Sequence, residues 1–148
     1  MTITGTRETL HRDLGWFTDL FRTYLGPWAT ESTHFYIGGA KGIDSLSLDY
    51  LGADTCSRIT VVVPGAVHQQ PDEAQWAIEQ NRGRITEIVE LRAPELHAEA
   101  FHARNRWMVD RADMTVGFPL AGGGEGSGTW QTLNYATRLG KVRLIVPV

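Results

Sequence analysis

Apolar residues along this chain follow two rhythms that alternate from one end to the other. Met1 to Thr4 reads as a strand that stops at Gly5-Thr6-Arg7. From Leu10 to Leu25 the positions Leu10, Leu14, Phe17, Leu20, Phe21 and Tyr24 recur at the spacing of an amphipathic helix. Gly26-Pro27 ends it, because proline cannot continue the hydrogen-bond ladder. His34 to Ile37 predicts a second strand, and the turn Gly38-Gly39-Ala40-Lys41-Gly42-Ile43-Asp44 leads into a helix that reaches about Leu51.

Ile59 to Val63 is an unbroken β-branched run, the mark of a strand buried on both faces, and Pro64-Gly65 closes it. Asp72 to Gln80 reads as a helix; Ile85 to Leu91 reads as a strand, although its loose alternation also suits a helix. Glu95 to Arg111 is a long helix and Met114 to Phe118 a strand. A glycine-rich loop from Gly117 follows, then a helix from Thr129 to Leu139 and a last strand from Val142 to Val146.

Strands alternating with helices predict an α/β fold, a Rossmann-like three-layer sandwich with a mostly parallel sheet, formed as one domain over residues 1–148. In such sheets ligands settle beyond the carboxyl ends of the strands, where loop backbone can approach them. The turns Gly5 to Arg7, Gly38 to Asp44 and Gly117 to Thr129 all leave carboxyl ends. They are expected to converge.

The third turn carries the most chemistry. Without a Cβ, Gly122, Gly123, Gly124, Gly126 and Gly128 let successive N–H groups aim at one point, and the helix that follows adds unpaired amides and a partial positive charge. Ser127 and Thr129 add hydroxyl donors at the helix head. Such a construction suits a phosphate, and its bland alternative is a cap with nothing bound. The second turn is no Walker loop, since Lys41 stands in the wrong place. Asp44 either accepts from a ribose hydroxyl or caps its helix, and Arg7 either meets phosphate or is a solvated turn residue.

On the helix Glu95 to Arg111, Phe101, Met108 and Ala112 form one stripe expected to face the core, and Arg104 and Asn105 fall on or beside it. An inward guanidinium needs a partner, either an internal Asp44 or Asp113 or a phosphate, which arginine matches in a bidentate fashion. His102, one residue off the stripe, is a general base or a partly exposed helix residue. Trp76, Trp107 and Trp130 stack on a nucleobase or belong to the core or a subunit contact.

The net charge of -3 and pI near 5.9 argue against a surface built to neutralise nucleic acid, so nucleic acid is not expected as a partner. Cys56 is the sole cysteine and the histidines lack zinc-ligand spacing, which predicts neither disulfide nor metal, and no cofactor is called for. No apolar run approaches a membrane span and no leader pattern opens the chain, so the expected compartment is the cytoplasm, with no membrane contact.

Gly5-Thr6-Arg7, then GGAKGID, then RNRWMVDRADMTVGFP and GGGEGSGT run in this order over nearly the whole chain, and the ordered set resembles the SLOG superfamily. Its members include the Lonely Guy phosphoribohydrolases, the DNA-processing protein A core and the YspA/YpsA-like proteins, the branch to which GGAKGID and RNR are nearer. The resemblance implies a Rossmann-like domain that binds nucleotides or their derivatives, often as a homo-oligomer, most commonly a dimer. In Lonely Guy enzymes the motifs are M-H-x-R-K and P-G-G-x-G-T-x-x-E, with the arginine and the last glutamate catalytic. Here Arg104 takes the place of that arginine, while Thr132 stands where the glutamate belongs. A threonine cannot carry the carboxylate's charge.

Two functions follow as expectations. In the first, the chain binds a nucleotide-like small molecule through Gly5, Thr6, Arg7, Gly38, Gly39, Ala40, Lys41, Asp44, Arg104 and Asn105, with Gly122, Gly123, Gly124, Glu125, Gly126, Ser127, Gly128 and Thr129 around the phosphate. In the alternative it hydrolyses an N-glycosidic bond of a nucleotide, with Arg104, Glu125 and Asp44 as the catalytic groups.

Overall fold

Every residue from Ile59 to Val63 is buried in the computed structural model, which describes residues 1–148. This run lies in β3 (Arg58–Val63), one of six strands in a single sheet with β1 (Thr2–Gly5), β2 (His34–Gly38), β4 (Glu87–Glu90), β5 (Met114–Phe118) and β6 (Val142–Ile145). The order is β4-β3-β2-β1-β5-β6 and every pairing is parallel. Five helices connect the strands: α1 (Leu14–Tyr24), α2 (Ile43–Asp54), α3 (Asp72–Gln80), α4 (Ala98–Arg111) and α5 (Gly128–Arg138). Helix α1 packs on α2 and α2 on α3, while α4 packs on α5. The result is the expected three-layer α/β sandwich, with a wholly parallel sheet. No helix is long and apolar enough to cross a membrane.

The two faces of the sheet differ in chemistry. Successive strand residues point to opposite sides. Ile3, Phe35, Ile37, Ile59, Val61, Val63, Val116 and Phe118 join Phe17 and Phe21 of α1, Ile43 and Leu51 of α2 and Ile78 of α3 in one apolar cluster. Burying each of these large side chains contributes about 1.5–3 kcal/mol, so this face supplies most of the hydrophobic stabilisation. The alternate positions, turned to α4 and α5, are mostly polar or small, the buried Val62 excepted: Thr2, Thr4, Thr60, Thr115, Gly38 and Gly117. A Cβ on Gly117 would come within 2.7 Å of Leu133 of α5, so the missing side chain is what lets that helix sit close. Trp107 of α4 meets Tyr36 edge-on at 6.0 Å between centroids.

Two helices begin later than their periodicity predicts. Helix α1 starts at Leu14 rather than Leu10, because the Asp13 carboxylate accepts from the Trp16 amide at 2.8 Å and caps the first turn. Leu10 and Leu14 are consequently exposed, and Phe17 and Phe21 form the buried stripe. Asp13→Ala is expected to cost about 1 kcal/mol, read as a lower urea midpoint at unchanged slope. Helix α4 starts at Ala98, with His97 at its cap, rather than at Glu95. The ambiguous segment near residue 88 is a strand. It pairs along β3 from Glu87 to Glu90 at the sheet edge.

Candidate functional site

Strand β1 has β2 on one side and β5 on the other, so successive strands depart in opposite directions from this point. Such a switch opens a crevice at the carboxyl ends. The three turns meet there through their own backbones. The Thr6 amide donates to the Phe118 carbonyl at 2.9 Å, and the Ile43 amide donates to the Thr6 carbonyl at 3.1 Å. Gly42 permits this approach: its φ is +79°, and a Cβ there would lie 2.6 Å from the Thr6 carbonyl oxygen and 2.8 Å from Arg7 Cα. The Glu73 carboxylate takes the Gly42 amide at 2.7 Å, tying the second turn to α3.

A cavity of about 430 Å³ occupies the crevice, within the size range of small-molecule sites. Thr4, Gly5, Thr6, Arg7 and Glu8 line it from the first turn, and Ala40 and Asp44 from the second. Leu120, Gly123, Ser127, Gly128 and Thr129 come from the third. Helix α4 closes it with Phe101, His102, Arg104, Asn105 and Met108. The Ser127 hydroxyl caps α5 by accepting from the Trp130 amide, whereas the Gly128 and Thr129 amides donate to no group of the chain. These two N–H groups, at the positive end of the helix dipole, form an anion-binding edge.

At the floor, Arg104 Nη1 donates to Asp44 Oδ2 at 3.3 Å, with the two residues only 4% and 6% exposed. Arg104 Nε is buried and finds no acceptor. Burial pushes the Asp44 carboxyl up to about 6, opposed by Arg104 and by the Ala40 amide. Burial likewise holds the Arg104 guanidinium below its ordinary value. Each partner is thus moved toward neutrality despite the other, which means that lost hydration outweighs one long contact. Gly38 makes the arrangement possible: a Cβ there would overlap Arg104 Nη1, Arg104 Cζ and Asp44 Oδ2.

Of the residues singled out in the sequence, Gly5, Thr6, Arg7, Ala40, Asp44, Arg104, Asn105, Gly123, Ser127, Gly128 and Thr129 come together on the cavity wall. Gly38 and Gly39 lie buried behind it, Gly39 against Val63, while Lys41 is exposed and outside the lining. Gly122, Gly124, Glu125 and Gly126 form the exposed outer part of the third turn, also outside the lining. Thr132, at the place of the family glutamate, is buried; its hydroxyl accepts from Asn105 at 2.8 Å and donates to the Gly128 carbonyl.

Phe101 requires a correction. It does not share the core stripe, which consists of Ala100, Arg104, Met108 and Val109; it is half-buried and faces the cavity. The Arg7 guanidinium sits 5.1 Å above its ring centre. Turning α4 so that Arg104 reaches Asp44 carries Phe101 toward the cavity mouth. Glu8 is a lining residue the sequence did not single out, although it directly follows Gly5-Thr6-Arg7. Trp107 packs between Tyr36 and Arg111, and Trp76 lies exposed on α3, so neither reaches the cavity.

No protein-family model matches the chain, and neither does any curated protein. Among solved structures, DNA processing protein A from Helicobacter pylori superposes with a TM-score of 0.72 at 18% identity, covering 99% of this chain. The fold is similar to that of DNA processing protein A. The chain spans 64% of the length of that structure, which was solved to describe its single-stranded DNA binding mode.

This match corrects the expectation that set nucleic acid aside as a partner. A chain with this fold over nearly all the present residues binds single-stranded DNA. The net charge of -3 is a sum over the whole surface and does not describe one rim of it. On that rim Arg7 lines the cavity mouth, and Arg106 and Arg138 lie along the adjoining helices, while Arg104 is paired with Asp44 at the floor.

Proposed function

We propose that the crevice between β1 and β5 binds a nucleotide-type ligand, with its phosphate at the third turn and its base at the mouth. The observation that carries this reading is the meeting of unpaired donors on one wall. The Gly128 and Thr129 amides at the head of α5 have no acceptor in the chain, and the Arg104 guanidinium that lines the same cavity is held by a single 3.3 Å contact to Asp44. A phosphate supplies several acceptor oxygens to such a set. The Arg7 guanidinium over Phe101 forms a flat, cationic face suited to a heterocyclic base. The ordered SLOG-like motifs support the same ligand class, and the DNA-binding neighbour makes a nucleotide unit within a strand one form of it.

Titration calorimetry with a panel of nucleoside mono- and diphosphates tests the reading. Saturable binding is expected, weakened about tenfold by Phe101→Ala, the loss of one stacking surface. Absence of heat with every nucleotide at millimolar concentration overturns it.

A second reading, hydrolysis of the N-glycosidic bond, is favoured by one feature: the Asp44 carboxyl reaches the cavity with its pKa raised to about 6, near the range of a general acid or base. The reading rests on Asp44 and Arg104, since Glu125 is outside the lining and Thr132 is engaged by Asn105. Free base released in the same mixtures, followed by chromatography, separates hydrolysis from binding alone.

A further inference from the structure

A second hollow of about 290 Å³ lies between α4 and α5 beside the cavity. His102 and Asn105 line both, so the two spaces share a wall. Across it stand Arg106 from α4 and Gln131, Tyr135 and Arg138 from α5; none of the lining side chains is a carboxylate. The acidic neighbours are Glu99, which holds Arg106, and Asp110, which accepts the Tyr135 hydroxyl at 2.8 Å. Arg138 takes part in no salt bridge, and its guanidinium lies 5.8 Å from the Tyr135 ring centre. An aromatic ring with a cation over it, found in this hollow as it is in the adjoining cavity with Phe101 and Arg7, is a combination on which the bases of a single strand stack.

We propose that this hollow is a second nucleotide subsite, so that the ligand class is a single-stranded oligonucleotide rather than a free nucleotide. The inference rests on the nucleotide reading of the neighbouring cavity. One unit occupies the cavity, the linking phosphate passes His102 and Asn105, and the next unit lies on Tyr135 with its phosphate against Arg138. A mononucleotide fills only the first position, whereas a linked pair gains the second contact as an intramolecular event.

The test compares a nucleoside 5′-monophosphate, the corresponding dinucleotide and a short oligothymidylate by calorimetry at several salt concentrations. The dinucleotide is expected to bind about tenfold tighter than the mononucleotide or better. Arg138→Gln removes most of that gain, leaves mononucleotide affinity within about twofold and lowers the oligothymidylate salt slope by about 0.7; Arg138→Lys restores the slope. Arg138 is exposed, so the urea midpoint of both variants should match the parent. A dinucleotide that binds no tighter than the mononucleotide overturns the subsite and leaves the cavity reading standing. So does an Arg138→Gln variant that weakens all three ligands equally. Failure of all three ligands to bind overturns both readings.

Discussion

Gly38→Ala is expected to destabilise the chain by about 3 kcal/mol and to abolish nucleotide binding. At most glycines outside the left-handed region, alanine is tolerated or mildly stabilising, since it restricts the unfolded chain. Gly38 is such a position by its backbone, because the positive-φ glycines are Gly42, Gly122 and Gly140. Its methyl group would nevertheless fall on the Arg104 guanidinium and the Asp44 carboxylate. Either the guanidinium leaves, stranding a buried carboxylate, or α4 moves away from the sheet; both outcomes remove Arg104 from the cavity floor. Gly124→Ala is the control, because a Cβ there meets nothing within 4 Å. Urea unfolding of the two variants, with calorimetry on each, checks the contrast, and equal stabilities for the pair would refute the packing role given to Gly38.

The second large effect has the opposite sign. Asp44→Asn is expected to stabilise the fold at pH 7 by up to roughly 3 kcal/mol and to remove a pH dependence from it. In the unfolded chain the carboxyl ionises near its ordinary value of 3.8, and in the folded chain at about 6. Between these values the folded state holds a proton that the unfolded state has released. Stability therefore falls as pH rises through this window, by about 1.4 kcal/mol per unit, and is flat with respect to this group on either side. Asparagine keeps the shape and the acceptor for Arg104 without the desolvated charge. Parent and variant should thus agree near pH 4, separate as pH rises from 4 to 6 and keep a constant difference above that, measured by urea unfolding across pH 4–8. A variant less stable than its parent at pH 7 would show that the ion pair outweighs its lost hydration. A residue whose replacement strengthens the fold fits a site where stability is given up for binding.

Much of the fold was legible. Helix Asp72–Gln80 and strand Met114–Phe118 stand where their patterns place them, because local periodicity reports which side of an element is buried. The late start of α1 was also readable in principle, since Asp13 is a capping residue that the continuing apolar spacing masked. The site was legible as a set of turns and illegible as a set of contacts. Phe101 was misplaced because the rotation of α4 follows from Arg104 reaching Asp44, sixty positions away. The hollow between α4 and α5 was not legible although Asn105, Arg106 and Thr132 belong to motifs, since its residues come from two helices whose spacing says nothing about their neighbour.

By itself the sequence determined the alternation of strands and helices, the parallel character of the sheet and the three glycine-bearing turns at its carboxyl edge, all consequences of short-range patterning and of which residues permit which backbone. Only the tertiary structure decided the strand order that opens the crevice between β1 and β5, the pairing of Arg104 with Asp44 behind Gly38, and the turning of Phe101 to the cavity. Those depend on contacts between residues far apart in the chain, whose energies no local pattern contains.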